Sequence, residues 1–132
     1  MTAIYDDHFM TLDCNRETST LRLIWKPTTR ELGPEGFQLA LALFAAETVA
    51  RRVRSVLVDV REFHAHDAPP KVEDWRQDVI IPLYSRSSIT RFAYLLPAGA
   101  PAKPVREAAG GERYDTGFFN AEADAVSWLA QA

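Results

Sequence analysis

The chain has little to bind metal or form covalent bonds with. Its 132 residues include one cysteine, Cys14, and three histidines. One cysteine cannot close a disulfide within the chain, and no cysteine set has zinc-ribbon spacing. No apolar run approaches the roughly 18 residues of a membrane span. The N-terminus has Asp6 and Asp7 and no apolar core, so it does not read as a signal peptide. The expectation is a soluble, cytoplasmic protein. Positive charge is not concentrated either. The net charge is −3, and the densest basic cluster is Arg51, Arg52 and Arg54. That cluster sits at a predicted helix end, where cations complement the negative pole of the helix dipole. A phosphate footprint needs more clustered cations than this, so nucleic acid is not an expected partner.

Catalytic signatures are also missing. There is no G-x-S-x-G elbow, no H-E-x-x-H pair, no P-loop and no G-x-G-x-x-G. Gly110-Gly111 reads as a turn. Cys14 lies on a peripheral strand with no histidine beside it to make a thiolate. The expectation is therefore no enzyme, no catalytic residues, no cofactor and no metal. His64, His66 and Asp67, with His8 more distant, come nearest to a ligand set. Imidazoles two apart can share an ion, but no third ligand follows at a recognisable spacing, so a polar loop is the preferred reading.

What remains is an ordinary globular composition, 47% hydrophobic and 25% charged, in a length that suits one domain over residues 1–132. His8 to Cys14 alternates, and Leu21, Leu23 and Trp25 alternate with Arg22, Ile24 and Lys26. Around the polar loop between them, these predict an antiparallel hairpin. A helix is predicted over Glu35–Arg52. It has two apolar stripes: Phe37, Leu41, Phe44 and Thr48 on one side, and Leu39, Leu43, Ala46 and Ala50 nearly opposite. A surface helix needs only one. The second stripe must meet either another helix of the chain or a second subunit, and a homodimer through Leu39, Leu43, Ala46 and Ala50 is one expectation.

The run Ser55–Val60 is continuously apolar up to Asp59, as in a central strand covered on both faces. Asp59 ends that run, and a carboxylate there is expected to accept N–H groups of the following loop. A helix is predicted over Pro70–Tyr84 with Val72, Trp75, Val79 and Leu83 inward, and Pro82 is expected to kink or end it. Thr90–Leu96 reads as a second buried strand. A short helix is predicted around Pro104–Ala109, then a strand Tyr114–Phe119. A last helix over Ala121–Ala130, capped by Asn120, is expected to bury Val126, Trp128 and Leu129. Strands alternating with helices require crossovers, hence an α/β fold: a mixed central sheet of about five strands with about four helices, hairpin first and βα units after it. The strands around Val56–Val60 and Phe92–Leu96 should be parallel neighbours.

Four segments together resemble the SpoIIAA-like family, a branch of the STAS-type domains related to anti-sigma-factor antagonists. They are "LRLIWKP", "VRSVLVDVREF", "TRFAYLLPAG" and "RYDTGFFNAEADAVSWLAQ". The resemblance implies a regulatory or binding module that acts by protein contact. The antagonists' phosphorylated serine falls at Ala68, which can hold no phosphate, so the resemblance implies the fold without that switch. The family is also similar in topology to CRAL-TRIO lipid-transfer domains, which implies an alternative: a carrier of a small apolar or lipid-like ligand. Trp25, Trp75, Trp128, Phe63, Phe92, Phe118 and Phe119 are the candidate lining of such a pocket, if they do not simply fill the core. By the general rule for α/β sheets, a ligand would sit beyond the carboxyl ends of the parallel strands, where Arg61, His64, His66 and Asp67 supply polar groups.

Overall fold

A computed structural model describes residues 2–64, 70–101, 103–109 and 112–131. Its strands are β1 (Thr2–Asp6), β2 (Met10–Asn15), β3 (Thr20–Trp25), β4 (Ser55–Asp59), β5 (Arg91–Leu95), β6 (Lys103–Arg106) and β7 (Asp115–Phe119). They form one mixed sheet in the order β1-β2-β3-β4-β5-β7-β6. The hairpin β2–β3 is antiparallel, and β3, β4, β5 and β7 run parallel. The expected parallel pairing of the two apolar strands is present, with Val56 beside Phe92 and Val58 beside Tyr94.

The sheet is wider than the five strands expected. β1 adds an antiparallel edge to β2, with a register shift between Ala3 and Tyr5. The segment expected as a short helix around Pro104–Ala109 begins instead as strand β6, paired antiparallel to β7 at the opposite edge, and no helix follows it among the described residues. Pro104 suits an edge, where the missing N–H costs no ladder bond.

Among the described residues there are three α-helical segments rather than four, besides a 3-10 turn over Pro27–Glu31. The first is α1 (Pro34–Arg51), which closes on Arg52 in the left-handed region at φ 51°. The second runs continuously through α2 (Pro70–Trp75), a π turn (Arg76–Ile80) and α3 (Ile81–Arg86). The third is α4 (Glu122–Leu129).

Pleating sorts the sheet into two faces. Leu21, Val56 and Phe92 form one row across β3, β4 and β5, and Leu23, Val58 and Tyr94 form another on the same face. The α1 and α2–α3 segments cover these rows, together with Met10, Leu12 and Cys14 of β2. The opposite face has the alternate row Arg22, Leu57, Ala93 and Gly117, and α4 packs there through Ala125 and Leu129.

On α1 only one stripe is buried: Ala40, Leu41, Phe44, Ala45 and Thr48. The Thr48 hydroxyl donates to the Phe44 carbonyl at 2.8 Å, which satisfies it inside the core. Of the second stripe, Leu39, Ala46 and Ala50 are exposed, and Leu43 is half-buried against the core.

The π turn changes the inward face of the second helical segment. Pro82 has no N–H for the Asp78 carbonyl, and the turn ahead of it widens, so that the Ile81 N–H reaches the Arg76 carbonyl. One extra residue per turn moves the inward position on by one. Ile80 and Tyr84 are buried, and Val79, expected inward, is 42% exposed. Pro82 therefore neither ends the helix nor leaves it regular, and the segment continues to Arg86. In α4 likewise, Val126 is exposed and Ala125 takes the buried position. Asn120 does not cap α4; its side-chain amide donates to the Ala100 carbonyl at 2.9 Å.

Candidate functional site

Two adjoining cavities lie on the face of the sheet that α1 and the α2–α3 segment cover. The first, about 180 Å³, is almost wholly apolar. Leu23 and Trp25 of β3, Val58 of β4, and Phe37, Leu41 and Phe44 of α1 wall it, and Phe63 of the loop after β4 closes one side. Trp25 stacks on Phe37 with centroids 5.9 Å apart, and Phe63 lies 5.0 Å from Trp25. The second cavity, about 260 Å³, is polar: Arg106, Glu112, Thr116 and Gln77 join Tyr114 and Phe118 in its lining. Arg76, Tyr84, Phe92 and Tyr94 line both. Each volume is below the roughly 300 Å³ at which drug-sized pockets begin, so a ligand here is small.

The shared wall is the chemically distinctive part. Arg76 stands on the π turn and gives Nε and Nη2 to Glu73 at 3.2–3.4 Å, leaving Nη1 without an acceptor among the described residues. Burial pushes the Tyr84 hydroxyl well above its usual range and raises those of Tyr94 and Tyr114, so all three stay protonated as donors at neutral pH. None of the three donates to a protein acceptor among the described residues. Arg106 is held by Glu112 at 2.9 Å, so these two charges largely offset each other.

A second polar cluster lies on the opposite face, at the end of β4 and the start of α4. Asp59 is buried and accepts from Arg22 Nη2 at 3.2 Å and from Arg61 Nη2 at 2.7 Å. The Arg61 backbone N–H also donates to Asp59 Oδ1 at 3.1 Å, the loop contact expected of this carboxylate. Glu122 accepts from Arg22 at 2.9 Å and from Arg61 at 3.3 Å. Two arginines thus meet two carboxylates, while the buried Arg22 Nε has no partner among the described residues.

Of the sequence-predicted ligand-binding residues, Arg61 and His64 are described, and neither lines a cavity. Arg61 is committed to Asp59 and Glu122 and lines neither cavity. His64 gives its backbone N–H to Thr29 Oγ1 at 2.8 Å, and its half-exposed ring stands 3.6 Å from Glu62. His66, Asp67 and Ala68 lie outside the described residues. Among the described residues no group of three or more His, Cys, Asp or Glu is placed to hold a metal ion, and no helix is long and apolar enough to cross a membrane. Of the candidate pocket aromatics, Trp25, Phe63, Phe92 and Phe118 do line a cavity. Phe119 and Trp128 pack under α4 instead, and Trp75 packs against the main core.

Arg76, Tyr84 and Tyr94 escaped the sequence reading. One signal was available. A proline inside an apolar helical pattern demands an irregular turn before it, and irregular turns inside helices gather at functional sites.

The fold and its cavities define a mixed α/β domain with an internal site between sheet and helices. No family model matches the chain, and no curated protein or solved structure matches it significantly.

Proposed function

We propose that the chain is a non-enzymatic binding module that takes a small amphipathic molecule between its sheet and its helices. The observation that supports this best is the junction of an apolar and a polar cavity at one wall, Arg76, Tyr84, Phe92 and Tyr94. An apolar space gains from any apolar body that fills it, and the few polar groups beside it fix orientation. The similarity in topology between the SpoIIAA-like family and CRAL-TRIO domains supports the same reading.

Toluene tests it without assuming any head group. A dry apolar cavity of about 150 Å³ holds one benzene ring. In an amide NMR titration, toluene is expected to shift resonances of cavity residues such as Phe44, Val58 and Ile80, and to leave those under α4 unmoved. No shift up to the solubility limit of toluene would remove the cavity as a binding site.

A second reading, contact with a protein partner, is supported by a different observation. The outer side of α1 exposes Leu39 at 73% and Val49 at 39%, beside exposed Ala42, Ala46 and Ala50. We take a second copy of the chain as the occupant, because a two-fold axis would pair this stripe with itself. A regulatory module working through such contacts is what the SpoIIAA-like resemblance implies.

A further inference from the structure

We propose that the molecule bound at the paired cavities is a small monocarboxylic acid, its body one aromatic ring or about six carbons long and its carboxylate held at Arg76. This rests on the reading of the cavities as a binding site and names the class of ligand.

Size comes first. The apolar cavity, at about 180 Å³, is only slightly larger than the engineered cavities that take a single benzene ring. A long acyl chain does not fit it. The walls decide the body's polarity. Phe37, Leu41, Phe44 and Val58 offer no partner to a polar group, which would forfeit its hydrogen bonds to water on entry.

The junction decides the head. It offers one cationic donor and two hydroxyls: Arg76 Nη1, and the protonated Tyr84 and Tyr94, each able to donate to an anion. An amine would meet the Arg76 guanidinium, and the carboxylates within reach, Glu73 and Glu112, are already paired with Arg76 and Arg106. An anionic acceptor meets Arg76 Nη1, the guanidinium nitrogen that Glu73 leaves without an acceptor, and neighbouring O–H donors, a setting for charge-assisted hydrogen bonds. One negative charge fits better than two. The next cation, Arg106, is already paired with Glu112, and that carboxylate on the cavity wall repels a dianion. A carboxylate therefore fits where a phosphate monoester does not.

Phenylacetate, its uncharged isostere phenylacetamide and phenyl phosphate separate these possibilities by calorimetric titration. Phenylacetate is expected to bind at least tenfold more tightly than either of the others. Arg76→Gln is expected to weaken phenylacetate at least tenfold and toluene by less than threefold, and retained toluene binding shows that the variant's cavity is intact. Should Arg76→Gln fail to fold, the comparison of the three probes on the wild-type chain decides alone. Equal binding of the amide and the acid, tighter binding of the phosphate, or toluene binding without phenylacetate binding would overturn the carboxylate assignment and leave the cavity reading standing. If toluene also fails to bind, both fall.

Discussion

Asp59 shows how a residue's chemistry depends on partners that no local pattern reveals. Its place at the end of an apolar run made it legible as a loop-capping carboxylate, and the Arg61 N–H is on it. Arg22 and Glu122 come from distant strands and helices, and nothing in the spacing of the sequence joins them to Asp59. Burial alone would raise the Asp59 carboxyl. The Arg61 side chain and N–H, with Arg22, outweigh burial and hold it below its ordinary value of 3.8. The folded form thus binds a proton more weakly than the unfolded chain. The resulting stabilisation is complete above the unfolded value and is lost as pH falls through the folded one. Asp59→Asn leaves Arg22, itself buried, short of a carboxylate. It is expected to cost about 1–3 kcal/mol at neutral pH in urea unfolding, since the charged bonds from Arg22 and Arg61 to Asp59 are weakened while Glu122 still holds Arg22. The gap between variant and wild type should narrow from about pH 4 downward. A gap that stays constant to pH 2 would show that the Asp59 charge is not what the variant removes.

Among elements, those set by a strong period were legible and those set by position in the sheet were not. The alternation of Met10, Leu12 and Cys14 and the run Val56-Leu57-Val58 gave strands where strands are found. β1 and β6 are short edge strands of five and four residues without a strong period, and they exist because a neighbouring strand offers them a ladder. The inward face of the second helical segment was read one residue out at Val79 because α periodicity does not foresee a π turn. The seating of α4 was hidden for another reason: it depends on small residues of the sheet beneath it. A Cβ on Gly117 would stand 2.5 Å from one ring carbon of Phe119 and 3.0 Å from one of Trp128. Those two rings pack together at 5.4 Å, so neither has much room to yield. Gly117→Ala is expected to destabilise the chain by about 1–3 kcal/mol through overpacking. The Trp128 indole resonance should move while that of Trp25, on the far face, stays. An unchanged urea midpoint would mean that α4 rides over the sheet more loosely than its contacts indicate.

For the molecule as a whole, the two faces of the sheet are unequal. One is covered by two helical segments that leave cavities between them, and the other by α4 over β4, β5 and β7. Sequence reading reached the α/β class and several of the pocket's aromatics. It could not reach the cavity, because a void is a property of packing rather than of any residue. The outer stripe of α1 is the reverse case: the sequence displayed it, and the fold leaves most of it uncovered. Leu43, the central residue of that stripe, is half-buried against the core, so a charge there would report on folding as much as on assembly. Leu39 is the cleaner probe, since its exposed side chain contributes little to the monomer's core. If two copies pair through α1, Leu39→Glu brings two carboxylates together across the axis, and like charges in a contact cost several kcal/mol. Light scattering is expected to give twice the 14.8 kDa chain mass for wild type and a single chain mass for Leu39→Glu, with the same circular dichroism and melting behaviour at low concentration. A wild-type chain that is monomeric at millimolar concentration, or a variant whose mass does not change, would remove α1 as the contact between copies.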